Sequence, residues 1–328
     1  MLTALLAMLA GLVLLIWSAD KFVEGAASTA RHLGVPALII GMVIIGFGTS
    51  APELVVSVIA ASQGNPGVAV GNAIGSNITN IGLIIGLTAL LTPITVKSRL
   101  IRREFPILLL ATALAVYLLA DGALSIEDSI GLLLLFTAVM GWTIASALRQ
   151  RHDMLARDLD TEAMSEPALS LKTSIAWLFL GILLLVLSSR LLVWGAVTLA
   201  QMLGISDLII GLTVIAIGTS LPELASSLSA IRKQEHDLAL GNVIGSNLFN
   251  TLAVIGLAGL IHPLPLDSIV IQRDLPAMVL ATLLLFVAGF HRFGSGQIRR
   301  WQGLTLLILW FFYNFLLVRS VISLSDSL

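Results

Sequence analysis

Cysteine is absent from this 328-residue chain, and charge is scarce: Asp, Glu, Lys and Arg make up only 11% of it. The first absence excludes disulfides, thiolate metal ligands and cysteine nucleophiles. The second excludes an ordinary soluble domain, where about a quarter of residues are charged. The formal net charge of −1 comes with no basic stripe, so nothing points to nucleic acid. Histidine is thin too, with five in all and none in the middle of an apolar run, which argues against a zinc or copper site built on imidazole.

Apolar sequence is what remains, at 57% of the chain. A membrane span needs about 20 such residues. Ten candidate spans can be read, at 2–30, 36–62, 68–92, 104–120, 125–148, 173–200, 206–232, 238–262, 273–290 and 300–322. The expected fold is therefore an all-α polytopic membrane protein embedded in a lipid bilayer. Residues 1–17 have the apolar core of a signal peptide but no basic segment before it. The equivalent stretch 175–187, deep inside the chain, cannot be a signal, so the start reads as a retained first span.

Two stretches organise the rest. Gly46-Phe-Gly-Thr-Ser-Ala-Pro-Glu-Leu54 leads into Gly71-Asn-Ala-Ile-Gly-Ser-Asn-Ile-Thr-Asn80. Residues 217–224 read Ile-Gly-Thr-Ser-Leu-Pro-Glu-Leu, and Gly241-Asn-Val-Ile-Gly-Ser-Asn-Leu-Phe-Asn250 follows. Glu53 and Glu223, Ser76 and Ser246, and Asn80 and Asn250 each lie 170 residues apart, and residues 18–120 align with 188–290 without a gap. The chain is two copies of one half. Its expected parts are a first repeat at 1–148 with its block at 46–80, a linker at 149–172, and a second repeat at 173–328 with its block at 216–250. Five spans per half is an odd number, so the second copy enters the membrane from the opposite side. Such inverted repeats are a frequent transporter plan, with the substrate site at the midplane.

Lysine and arginine set the orientation. Fourteen of the 18 (Arg31, Lys97, Arg99, Arg102, Arg103, Arg149, Arg151, Arg157, Lys172, Arg232, Lys233, Arg292, Arg299 and Arg300) fall on one side, against Arg273 and Arg319 on the other. The basic side is expected to be cytoplasmic, together with the 149–172 loop, and both termini outside.

The duplicated blocks carry the chemistry. A carboxylate at bilayer depth costs at least about 2.5–3.5 kcal/mol, so it is rarely idle. Proline lacks an N–H and breaks the helix locally, so Pro52 and Pro222 free carbonyls near Gly48, Thr49, Gly218 and Thr219. Such carbonyls are tolerated where they line a polar cavity or hold an ion. Thr49 and Ser50 share a helix face with Glu53, and Ser76 lies one turn before Asn80. Two glutamates match one divalent cation or two monovalent ones. Calcium takes six to eight oxygen ligands, and Glu53, Glu223, Asn80, Asn250 and the freed carbonyls can supply them. Sodium can use the same oxygens with Thr49, Thr219, Ser50, Ser220, Ser76 and Ser246. The plainer alternative makes both glutamates protonated structural groups. For Gly71, Gly75, Gly241 and Gly245 close helix packing is the expected role. Asn72, Asn77, Asn242 and Asn247 read as partners behind the glutamates. Asp20, Lys21 and Glu24 read as a structural or gating set, and Arg103-Glu104 and Arg273-Asp274 as interface anchors.

On these residues the chain resembles the cation/calcium antiporter superfamily, whose α-repeats have this paired form, and most closely the bacterial inner-membrane sodium/calcium exchanger type. The resemblance implies ten helices, a central ion site on the second, third, seventh and eighth, and sliding of the first and sixth to switch access. It carries the family's acidic ligands onto Glu53 and Glu223, and its hydroxyl and carbonyl ligands onto Thr49, Ser50, Thr219, Ser220, Ser76 and Ser246. Some relatives have Asp where this chain has Asn250, and that Asp goes with potassium dependence among other properties, so potassium co-transport is not the expectation here. The expected function is secondary antiport of calcium against sodium, with no cofactor. Alternatives are proton-coupled antiport of calcium or another divalent cation, a passive channel and, remotely, an intramembrane hydrolase, although no Ser/His pair or Asp dyad lies within the spans.

Overall fold

In hydrocarbon a backbone must satisfy its own hydrogen bonds, and long runs of Leu, Ile, Ala and Val do so as helices. In the computed structural model, which describes residues 1–64, 66–97, 103–157, 169–203, 216–290 and 296–325, nearly every apolar run is helical. The helices are α1 (Leu2–Leu33), α2 (Ala37–Thr49), α3 (Ala51–Ser62), α4 (Pro66–Leu91), α5 (Phe105–Leu119), α6 (Ile126–Arg157), α7 (Leu171–Met202), α8 (Ala216–Thr219), α9 (Leu221–Arg232), α10 (His236–Ile261), α11 (Val270–Gly289) and α12 (Arg300–Ser325). Among the described residues seven of these are long and apolar enough to cross a membrane, and eight if α2 and α3, bent by 44° at their junction, form one span. The ten spans read from sequence differ from this count for two reasons. The fourth is a helix of only 15 residues, and part of the seventh, 204–215, lies outside the described residues. The helix of the fifth span also runs on to Arg157, into the segment read as linker.

α1 and α7 pack antiparallel along their length, and glycine permits the approach. A Cβ on Gly11 would sit 2.8 Å from the Leu192 backbone, and one on Gly25 would sit 2.7 Å from the Ser174 carbonyl. The equivalent positions Gly181 and Gly195 meet Phe22 and Ala4 in the same way, so the pair obeys the internal twofold. α1 ends at Gly34, whose φ of 59° suits glycine, and Val35 N–H bonds back to the Ala30 carbonyl to close the helix.

The centre of the molecule is α4 and α10. Of their most apolar stretches, 72% and 83% are buried, against 28% for α1 and α7. Each repeat's last helix packs on the other repeat's centre. α12 crosses α4 where Gly82 and Gly86 meet Trp310 and Leu307, and α6 crosses α10 where Gly256 and Gly259 meet Leu133 and Ser129. Two short antiparallel pairings reinforce the exchange, Ile94–Val96 (β1) with Gly296–Ile298 (β4) and Ala123–Leu124 (β2) with Leu264–Pro265 (β3).

One sequence reading needs correction here. Glu104 and Asp274 are 1% and 5% exposed, so they are buried rather than interfacial. Asp274 is held by Arg273 at 2.6 Å and by the Tyr313 hydroxyl at 3.1 Å, which compensates its burial. Among the described residues Gly71 and Gly75 have open space where a Cβ would stand, whereas Gly241 and Gly245 lie against the α2 backbone. Gly241 and Gly245 therefore pack as expected, while 204–215, the segment equivalent to the one they meet, lies outside the described residues, so the reading for Gly71 and Gly75 falls there too.

Candidate ion-binding site

The two Pro-Glu segments break their helices at equivalent residues. Ser50, between α2 and α3, has φ −85° and ψ 4°, and Ser220, between α8 and α9, has φ −90° and ψ 5°. Pro52 and Pro222 stand in the first turn of the following helix, where a missing N–H costs nothing. Glu53 and Glu223 occupy that same turn, next to the unpaired N–H groups of a helix start. Backbone widening continues in the neighbours, with π-helical turns at Asn80–Ile85 in α4 and Phe249–Val254 in α10. Such turns leave backbone groups less regularly paired and are frequent at functional sites.

These elements bury the duplicated polar residues and bring Thr49, Ser50, Glu53 and Glu223 together across the repeats. Glu53, Glu223, Thr49 and Asn80 are each 1% exposed, as is Asn250, and Ser50, Ser220, Ser76 and Ser246 are buried with them. Ser50 crosses between the repeats, its hydroxyl donating to Glu223 Oε1 at 3.1 Å. The charges of Glu53 and Glu223 are close enough to interact. Ser246 donates to the Gly46 carbonyl at 3.3 Å, and Thr49 Oγ1 lies 3.0 Å from the Ile45 carbonyl and 3.1 Å from Asn242 Oδ1. Thr219 is set apart from the others: it is half-buried and lines a cavity of about 380 Å³ beside the break, together with Pro52, Arg190 and Pro222. One freed carbonyl is already taken, since Ser189 donates to the Gly218 oxygen at 2.7 Å.

The most informative atoms are those left over. Glu53 Oε2, Glu223 Oε2, Ser220 Oγ, Asn77 Oδ1, Asn80 Oδ1 and Asn250 Oδ1 are buried without a hydrogen-bond partner among the described residues. A buried polar atom without a partner costs about 1–3 kcal/mol, and more if charged. Folded proteins rarely leave so many, and these are oxygen acceptors or a hydroxyl; the Asn247 amide nitrogen is the one donor-only atom among such buried groups of the described residues. A hard cation satisfies such a set, and a ligand that only accepts hydrogen bonds does not. Among the described residues no group of three His, Cys, Asp or Glu exists, so the set is two carboxylates among neutral oxygens.

Asparagines hold the cluster from behind. Asn242 Nδ2 lies 3.3 Å from the Glu223 carbonyl, 3.0 Å from Ser226 Oγ and 3.1 Å from Ser227 Oγ. Its equivalent, Asn72, reaches the Glu53 carbonyl at 3.5 Å and Ser57 Oγ at 3.3 Å. Asn80 donates to Asn247 Oδ1 at 3.0 Å, and Asn77 to Thr251 at 2.7 Å. Sequence reasoning missed Ser57, Ser227 and Ser189. The first two lie four residues after Glu53 and Glu223, on the same helix face, and that spacing was a usable signal. Ser189 has alanine, Ala19, at its equivalent position, so the repeat concealed it.

Ser50→Ala removes the hydroxyl on Glu223 and keeps both charges. Its expected effect is an apparent calcium affinity about tenfold weaker, the size of one hydrogen bond to a charged group, with an unchanged maximal rate. Initial rates of calcium flux against calcium concentration check it.

Comparison with known proteins follows the same lines. The chain matches the family described as sodium/calcium exchanger protein over residues 3–145 and 173–319, the two halves of the repeat. It is 48% identical to the putative antiporter CaxA of Alkalimonas amylolytica, covering 98% of this chain and all of that one. It is 33% identical to the sodium/calcium exchanger MaX1 of Methanosarcina acetivorans, covering 95% and 97%. A solved structure of the sodium-calcium exchanger NCX_Mj, soaked with sodium and strontium, superposes with a TM-score of 0.81 at 33% identity, covering 95% and 97%.

Proposed function

The chain belongs to the sodium/calcium exchanger family and is a multi-pass membrane cation antiporter, and on that premise we propose that it exchanges calcium for sodium by alternating access at the paired-glutamate cluster. The single observation that carries the reading is the set of buried, partnerless oxygens on Glu53, Glu223, Ser220, Asn80 and Asn250.

In this reading Glu53 and Glu223 neutralise one calcium ion, and Asn80, Asn250 and backbone carbonyls complete its oxygen shell. Sodium takes overlapping oxygens, with Thr49, Ser50, Thr219, Ser220, Ser76 and Ser246 available as neutral ligands. Because the ions share ligands, one must leave before the other is fully bound, and that exclusion is the basis of coupling. Asn250, where a carboxylate would add a third charge, keeps the site at two and disfavours an additional potassium ion.

The same proposal extends to architecture. Two inverted repeats at 1–148 and 173–328, of five spans each, place the cluster near the midplane, with the 149–172 segment as cytoplasmic linker and both termini outside. The gapless 170-residue correspondence, the reciprocal packing of α1 and α7 and the excess of Arg and Lys on one face support it. A bacterial inner-membrane location accords with the 42% identity to an inner membrane protein, YrbG of Escherichia coli.

The coupling ion is tested in proteoliposomes. An outward sodium gradient at uniform pH is expected to drive calcium uptake, and a proton gradient without sodium is not. Uptake under the proton gradient alone would assign the protein to proton-coupled antiport and leave the site assignment intact.

A further inference from the structure

Positions 20 and 190 are equivalent in the repeat and carry opposite charges, Asp20 on α1 and Arg190 on α7. The structure treats them unequally. Asp20 accepts the Ser229 hydroxyl at 2.5 Å, and Lys233 Nζ donates to the Asp20 carbonyl at 2.6 Å. Beyond them Arg31 pairs with Glu235 at 2.7 Å. These bonds fasten α1 onto α9. The covered face of α9 is accordingly closed, with Ser226 and Ser229 only 2% and 4% exposed.

Under the internal twofold, α7 would cover α3 in the same manner, and it does not. Val56 and Ile59, the equivalents of Ser226 and Ser229, are 40% and 50% exposed. Between α7 and the Pro52 turn lies the cavity of about 380 Å³, lined by Val56, Ser189, Arg190, Val193, Thr219 and Pro222 among others. It reaches the edge of the ion cluster at Thr219. Arg190 is exposed and makes no hydrogen bond or ion pair with another described residue. The chemistry accounts for the difference. Ser229 is replaced by Ile59 and Lys233 by Gln63, so nothing there repeats the hydroxyl and ammonium that hold Asp20.

We propose that Asp20 and Arg190 set the resting conformation of the carrier: Asp20 latches the route between α1 and α9 shut, and Arg190 leaves the equivalent route between α7 and α3 unlatched and open. The inference rests on the alternating-access reading above. At rest the ion cluster therefore faces away from the side carrying Arg31, Lys97 and Lys233. Opening towards that side requires breaking the Asp20 bonds. Their loss shifts the balance between the two states without touching an ion ligand.

The chain has no cysteine, so single cysteines report on each route. Val23 and Val193 are equivalent positions, the first fully buried on α1 and the second lining the open cavity. The purified full-length protein in detergent is reacted with a charged maleimide, which reports access independently of transport. Val193→Cys is expected to react fast and Val23→Cys slowly. Adding Asp20→Ala, which removes the acceptor of the Ser229 hydroxyl, raises the Val23→Cys rate about tenfold, the effect of one lost hydrogen bond to a charged group, and slows Val193→Cys. The triple change Arg190→Asp, Ile59→Ser and Gln63→Lys rebuilds the latch on the open side, leaves the native one intact, and is expected to protect Val193→Cys. The proposal is overturned by an unchanged Val23→Cys rate in a monodisperse Asp20→Ala protein. Equally fast Val193→Cys labelling in the folded triple variant would overturn it as well, and that variant decides the matter if Asp20→Ala does not fold. Failure of calcium exchange with this labelling pattern intact would count against the ion assignment and not against the latch.

Discussion

Glu223→Gln is expected to abolish calcium exchange while leaving the protein folded. The amide keeps the shape of the side chain and can still accept the Ser50 hydrogen bond, so the break at Ser220 has no reason to rearrange. What it removes is half of the charge facing the cation. A divalent ion opposite one carboxylate carries an uncompensated charge in a buried site, and an unpaired buried charge costs about 3–5 kcal/mol. That converts to a calcium affinity lower by at least about a hundredfold. Calcium flux into proteoliposomes, with elution on gel filtration as the control for folding, measures it. Flux within twofold of wild type would remove Glu223 from the site.

Gly245→Val is expected to prevent assembly altogether. α10 crosses α2 with its backbone against the backbone of Met42, and a Cβ at Gly245 would collide with the Met42 carbonyl. Neither atom belongs to a flexible side chain, so the helices must separate. Separation undoes the contacts at Gly41 with Leu238 and at Gly46 with Ser246, which place the α2 break beside α10. The expected result is little or no monodisperse protein in membranes. The control is Gly141→Val on α6, an exposed position where no described atom lies within 4 Å of the added Cβ, and the protein is expected to be recovered at wild-type levels. Equal yields of the two variants would contradict the packing account.

The Gly245 crossing also shows what the sequence makes legible. The repeat is readable because polar residues inside apolar spans are expensive, and two such sets held in register at a 170-residue offset do not arise by chance. That cost is also why Glu53, Glu223 and their hydroxyl neighbours stand out before any coordinates. Sequence symmetry does not determine conformational symmetry, however. Ser189, for example, has no equivalent hydroxyl at Ala19. Asp20 reads from sequence as part of a structural or gating set, and only the geometry reveals that it is bonded while its equivalent, Arg190, has no described partner. Burial of Glu104 and Asp274 was also illegible, because a charged pair before a proline at a span start looks like an interfacial anchor. The Tyr313 hydroxyl that stabilises Asp274 comes from a helix 39 residues later.

Calcium binding to the purified protein at a series of sodium concentrations, in wild type and in Glu53→Gln, tests the shared-ligand site most directly. If calcium and sodium use the same oxygens, sodium raises the apparent calcium Kd of the wild type competitively, without changing the number of calcium sites, and Glu53→Gln binds calcium too weakly to titrate. Calcium binding that is indifferent to sodium, or that survives unchanged in Glu53→Gln, would contradict it.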